Sequence, residues 1–196
     1  AGYYWFLDWF GCKLADLILL DTNAHIDYFS KTFFIKKSKF IRVFVGTDDN
    51  IFYPKPAQKT SDKFLVHFHG NFIPLQGVEY IIRAGGLLSD YRIQFQIIGR
   101  GQDYEKIKNI ATELNLQNVA WIDHVAYEEL PVYINKADIC LGIFGDTDKA
   151  VRVIPNKVYE AMAMGKPVIS GDSPAIKELF TDRKNIILCH MADPED

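Results

Sequence analysis

The residues best placed to do chemistry lie in one stretch, Val153-Ile154-Pro155-Asn156-Lys157-Val158-Tyr159-Glu160-Ala161-Met162-Ala163-Met164-Gly165. Asn156 is the expected N-cap of a helix entered through Pro155. Unpaired backbone N–H groups and the helix dipole make such a tip an anion site, and Lys157 would add a point charge. Glu160 follows one turn further in. A carboxylate there can accept hydrogen bonds from both neighbouring hydroxyls of a ribose. Pyrophosphate on the tip with ribose one turn along is a workable nucleotide geometry. The plainer alternative, that Glu160 is a solvated helix carboxylate, stays open from residue type alone. Met162 and Met164 read as core filler.

Two further segments end in glycine. His67-Phe68-His69-Gly70 runs into Asn71 and then Gln76-Gly77. Glycines at these points let backbone approach a phosphate closely, or serve only a strand-to-helix turn. His67 and His69 alternate, so they face one side of a strand. No carboxylate or cysteine lies at ligand spacing, so packed histidines are favoured over a metal site. Ile98-Gly99-Arg100-Gly101 begins a dinucleotide fingerprint that fails at Tyr104, where the third glycine would stand. A tight turn explains it as well. Gly145-Asp146-Thr147-Asp148 lacks the remaining ligands of a calcium loop and reads as a turn.

These residues need a scaffold, and the chain alternates strand-like with helix-like segments. Residues 17–20, 40–45, 64–70, 92–99, 118–122, 138–144, 167–170 and 185–189 read as strands. Residues 22–33, 77–88, 104–114, 128–137 and 156–165 read as helices, and 173–180 completes the series. In the helix over 104–114, Ile107, Ile110, Ala111 and Leu114 are expected to face inward. Gly165 sits just past a helix end, where a left-handed residue suits glycine. Residues 46–63 replace periodicity with turn residues and charge, as a linker would. The repeated β-α-β rhythm predicts an α/β fold with a doubly wound, Rossmann-like parallel sheet. Ligands of such sheets bind beyond the carboxyl ends of the strands.

Composition excludes several classes. Lys plus Arg number 22 against 25 Asp plus Glu, a net charge of −3, which argues against a nucleic-acid partner. No apolar run approaches the ~18 residues that a membrane span needs. The opening AGYYWFLDWFG has no basic segment before its apolar residues and is not read as a signal peptide. The chain reads as cut from something longer. Cys12, Cys140 and Cys189 are odd in number and embedded in apolar runs, which suits free thiols in a reducing cytoplasm. Lys31, Lys36, Lys37, Lys39 and Arg42, interleaved with Phe33, Phe34 and Phe40, read as a solvated helix end and strand edge. Contact with anionic lipid head groups is the other use of such a run.

Taken in order, GNFIPLQGVEYIIRA, IIGRGQDYEKI, WIDHVAYEELPVYINKADICL and PNKVYEAMAMGKPVISGDSPAIKEL resemble the family 4 ("group 1") retaining glycosyltransferases. VFVGTDDNIFYPKP resembles the segment joining that family's two domains. The likeness runs from about residue 17 to 196. It implies the C-terminal half of a GT-B fold, two Rossmann-like domains facing across a cleft. Residues 57–196 would be the nucleotide-sugar donor domain without its final helix, 46–56 the interdomain linker, and 1–45 the tail of an incomplete acceptor domain.

The resemblance implies a hexosyltransferase type of enzyme, inactive as this piece alone, whose catalytic base lies outside the chain. Its donor would be a nucleotide diphosphate sugar, most often of uridine, with no metal cofactor. Its acceptor would be a glycan or a lipid-linked sugar, placing the parent in the cytoplasm or at the membrane periphery. Carried over by position, Glu160 holds the ribose, Pro155, Asn156 and Lys157 form the tip facing the pyrophosphate, Gly70 and Gly99 are backbone turns lining the cleft, and Val125 meets the base through its backbone. The chain departs from the pattern at three places. Arg152 stands where the first family glutamate falls, and Asn71 and Gln76 stand where a basic pair neutralises the pyrophosphate. Arg100, Arg152 or Lys157 would have to supply that charge. The same residues leave two rivals: a non-catalytic or partner-dependent binding module, and a nucleotide-sugar epimerase of the same fold.

Overall fold

A computed structural model of the chain describes residues 2–56 and 62–196. The expected domain start at 57 lies outside the described residues. The chain opens with α1 (Gly2–Leu14), β1 (Ile18–Leu20), α2 (Asn23–Phe33) and β2 (Phe40–Arg42), the two strands pairing in parallel. The side chain of Thr22 caps α2 by accepting the His25 N–H at 3.0 Å. The helix stops at Phe34, whose φ of 54° is left-handed. Cys12, Ile26, Phe33, Ile35 and Phe40 form a small core for this N-terminal unit.

The main sheet has six parallel strands: β3 (Phe64–His69), β4 (Ile93–Ile98), β5 (Val119–Ile122), β6 (Ile139–Leu141), β7 (Val168–Gly171) and β8 (Ile187–Cys189). Their spatial order is β5-β4-β3-β6-β7-β8, so the direction of winding reverses between β3 and β6. That is the doubly wound order, and its crevice opens beyond those two strands. Helices α3 (Val78–Leu87) and α4 (Tyr104–Glu113) pack on one face, and α5 (Leu130–Lys136) and α6 (Asn156–Ala163) on the other. Alternation sorts the side chains of β3. Val66 and Phe68 join the core under α3 and α4, while His67 and His69 turn to the α6 side.

Several expectations are corrected. Residues 2–14 form a helix that periodicity did not announce, because almost every position is apolar and no stripe stands out. The strand expected over 40–45 ends at Arg42. Pro155, not Asn156, is the N-cap of α6. Its backbone is extended at φ −72°, ψ 144°, and its carbonyl accepts the Val158 N–H at 3.0 Å, so the helix begins one residue earlier than Asn156 capping would allow. Leu114 is 42% exposed: it lies past the last turn of α4, against Gly86 and outside the core. The segment 173–180 contains only a single 3₁₀ turn, Ile176–Glu178. Residues 46–56 carry no helix or strand, yet Phe52 is buried in the core beneath α5 and α6, which pins the segment to the domain.

Candidate functional site

The crevice is built from the turns after β3 and β4 and from the tip of α6. The two turns are knitted by backbone hydrogen bonds: Gly70 N–H to Ile98 O at 3.0 Å, Phe72 N–H to Arg100 O at 2.9 Å, and Asp103 N–H to Phe72 O at 3.0 Å. Gly99 has φ 138°, and a Cβ there would lie 1.9 Å from the Gly70 carbonyl oxygen. Only glycine permits that approach. A Cβ on Gly70, at φ 152°, would meet the Lys157 ammonium at 2.7 Å.

Lys157 points beneath this turn. It is buried, its ammonium donates to Gln76 Oε1, and it lies 3.8 Å from the centre of the Phe68 ring. Desolvation lowers its pKa from 10.5 to about 7, against the opposing pull of Glu160. The lysine therefore titrates in the physiological range, and an anion bound above Gly70 would favour its charged form. The sequence placed this charge on the outer tip of the helix. The packing turns it inward, where Phe68 and Gln76 receive it.

Glu160 is also buried, 5% exposed, and so is not a solvated helix carboxylate. Its Oε2 accepts from His69 Nε2 at 2.7 Å. His69 Nδ1 lies 2.9 Å from His67 Nε2, and His67 Nδ1 lies 2.8 Å from Gln96 Nε2. The register of the sheet sets Gln96 of β4 beside His67 of β3. Burial pushes the pKa of His67 well below 6.5 and also lowers that of His69, so both imidazoles are neutral near pH 7. Sequence reasoning noticed that the two histidines share a face. It missed their partner, because Glu160 lies 91 residues further along the chain than His69.

The remaining expected site residues are engaged differently. Arg100 is exposed, pairs with Asp123 at 2.6 Å and lies 4.7 Å from the Tyr104 ring centre. Arg152 stacks on Tyr28 of α2 at 3.5 Å, its carbonyl accepts from Thr22 Oγ1, and its buried Nε has no hydrogen-bond partner among the described residues. Val125 is half-buried against the core under α5 and α6. Asn71 and Asn156 are exposed at the turn and the helix tip, with Pro155 half-buried beside the latter. The fold thus gathers Gly70, Gln76, Gly99, Lys157 and Glu160 around one crevice, while Arg100 and Arg152 are held by Asp123 and Tyr28. No cluster of three or more His, Cys, Asp or Glu suited to a metal occurs among the described residues. A cavity of about 400 Å³ lies elsewhere, on the α3 face, lined by Val66, Phe95, Leu141 and other apolar side chains, with Asp193, Glu195 and Asp196 also on its wall.

Residues 49–196 match the profile described as glycosyl transferases group 1. The chain belongs to this family. It is 25% identical over 167 residues to an uncharacterized glycosyltransferase of Methanocaldococcus jannaschii, covering 82% of this chain and 42% of that protein. Sucrose-phosphate synthase of Thermosynechococcus elongatus superposes with a TM-score of 0.82 at 19% identity, over 100% of this chain and 50% of the other. The Anabaena protein HepE, crystallised with UDP and glucose, superposes with a TM-score of 0.77 at 19% identity, over 93% of this chain and 52% of its own. The chain thus spans about half or less of the length of these three proteins. Its six-stranded part is the C-terminal domain of a GT-B glycosyltransferase fold, with the Rossmann-like parallel sheet expected of one. No helix among the described residues is long and apolar enough to cross a membrane.

Proposed function

We propose that residues 57–196 bind a nucleotide diphosphate sugar, with UDP as the nucleotide, for retaining transfer of a hexose to a glycan or lipid-linked acceptor. Residues 46–56 then join this donor domain to an acceptor domain of which residues 1–45 are part. The observation that carries the reading is Glu160, in a group 1 domain, one turn inside α6 with a single oxygen engaged among the described residues. In this reading Glu160 receives the ribose hydroxyls. The amides of the α6 tip at Asn156 and Lys157, with the Gly70 and Gly99 turns, receive the pyrophosphate. Lys157 supplies charge from beneath, Asn71 and Gln76 supply neutral hydrogen bonds, and the Val125 backbone meets the base. Arg100 and Arg152 reach the donor only by leaving Asp123 and Tyr28. Catalysis by the whole protein would rest on electrostatic stabilisation of the departing diphosphate by these donors. HepE, which holds UDP in a similar fold, supports uridine as the base.

Calorimetric titration with UDP, GDP and ADP, with and without Mg²⁺, tests the proposal. It expects UDP to bind best and without metal. Failure of all three to bind would reject it. One observation favours a partner-dependent module as the second reading: α1 exposes Tyr3, Tyr4, Trp5, Phe6 and Phe10. A strictly monomeric chain that binds UDP in light-scattering and titration experiments would remove that alternative.

A further inference from the structure

The polar chain behind Glu160 admits one direction only. An ionised carboxylate accepts hydrogen bonds and cannot donate. His69 must therefore carry its proton on Nε2, facing Glu160 Oε2 at 2.7 Å. Neutral His69 then accepts at Nδ1, so His67 carries its proton on Nε2, 2.9 Å away. Neutral His67 in turn accepts at Nδ1, and the Gln96 amide must donate there at 2.8 Å. His67 and Gln96 are buried among the strands, and His69 lies at the crevice edge. The four groups form a directed relay that runs from β4 through β3 into α6 and ends on one oxygen of Glu160. The other oxygen, Oε1, takes no hydrogen bond among the described residues and is not among the fully buried unpartnered atoms.

We infer that His69, set in its tautomer by His67 and Gln96, is a positioning residue that fixes the Glu160 carboxylate in one orientation with Oε1 presented to the ribose of the bound nucleotide. The inference rests on the proposed role of Glu160 and adds three residues that sequence patterns did not assign to the site. The chemistry is economical. A lone buried carboxylate would rotate freely about its last bond, and its two oxygens would compete for one ribose. An imidazole N–H that occupies Oε2 removes that freedom before the ligand arrives. Two neutral imidazoles achieve this without adding a positive charge that would neutralise the acceptor.

The test compares UDP with 2′-deoxy-UDP on the 196-residue chain, by calorimetry. The wild-type chain is expected to prefer UDP by about tenfold, the value of one hydrogen bond to a charged group. His69→Phe keeps the ring volume and removes the donor, and should reduce this preference to within about twofold. His69→Gln can still donate to Glu160 and accept from His67, and should retain most of it. A role in packing alone would weaken both nucleotides alike and leave the ratio unchanged. Equal affinity for the two nucleotides in the wild-type chain would overturn the reading of Glu160 and the relay with it. A preference lost in Glu160→Ala but intact in His69→Phe would overturn the relay alone, as would a glutamine variant no better than phenylalanine. If His69→Phe does not fold, Gln96→Leu serves in its place. It leaves His69 and Glu160 intact but frees the His67 tautomer, and should reduce the preference by about threefold; an unchanged ratio would refute the relay.

Discussion

Two glutamates hold two different parts of the molecule, and they are used in opposite ways. Glu178 sits where the N-terminal unit meets the six-stranded domain. Its Oε1 accepts the Ala24 N–H at 2.9 Å, and its Oε2 accepts the Asn23 N–H at 2.8 Å and Arg42 at 3.0 Å. It closes the first turn of α2 and neutralises Arg42, so neither oxygen is left over. Glu160, in the crevice, has one oxygen fixed by His69 and the other without a hydrogen-bond partner among the described residues. A saturated carboxylate is a fastening. A half-saturated and oriented one is a receptor, because its second oxygen is held ready to accept from a ligand. The same residue type thus serves architecture in one place and recognition in the other, and the hydrogen-bond count tells them apart.

The contrast can be broken by exchanging the expected phenotypes. Glu160→Ala should weaken UDP binding by roughly 10- to 100-fold, the loss of one or two hydrogen bonds to a charged group, with a modest change in melting temperature. Unchanged affinity in a titration would remove Glu160 from the site. Glu178→Ala should do the reverse. It should lower stability by roughly 1–3 kcal/mol in urea unfolding and leave UDP affinity within about twofold. A large loss of affinity there would mean that the joint and the crevice are coupled.

Lys157 sharpens the comparison, because it is a buried charge on the receptor side whose hydrogen-bond partner among the described residues, Gln76, is neutral. Its pKa is about 7 in the folded chain against 10.5 unfolded, so the unfolded state binds more protons between those values. Stability should therefore rise as pH increases from about 7 towards 10 through this group. Lys157→Met should abolish that rise and equal or exceed the parent in stability at pH 7. UDP affinity should move the other way, falling as pH increases through about 7 while the ammonium loses its proton, and Lys157→Met should flatten that slope in calorimetry. A variant that keeps the pH dependence would show that another group titrates. The smallest effect is expected at Arg152, whose guanidinium rests on Tyr28. Tyr28→Ala should cost about 0.5–1 kcal/mol in stability. If it strengthens UDP binding as well, Arg152 has been released to the donor; if not, Arg152 belongs to the joint with Glu178.

Much of the scaffold was legible from residue pattern. The parallel strands are short apolar runs bounded by turn residues, and α3, α4 and α6 carry their apolar positions at helical spacing, so each element declared itself locally. Gly165, left-handed at φ 69°, ends α6 as a glycine should. The helix α1 was not legible, since a segment of Tyr, Trp, Phe and Leu has no polar face to set its period. The start of α6 was displaced by one residue, because a proline with extended backbone can itself supply the capping carbonyl.

The site divides along the same physical line. Residue type and spacing along the chain determined which groups stand at strand ends and at the α6 tip, and they singled out Gly70, Gly99, Lys157 and Glu160. They also put His67 and His69 on one face, because strand alternation is a local rule. Only the tertiary structure decided what each group touches. It turned Lys157 inward onto Phe68 and Gln76, gave Arg100 to Asp123 and Arg152 to Tyr28, and joined His69 to Glu160. Those pairings depend on which strands lie side by side and which helix covers them. That order is set by burial of the whole sheet, a non-local quantity that no short stretch of sequence contains.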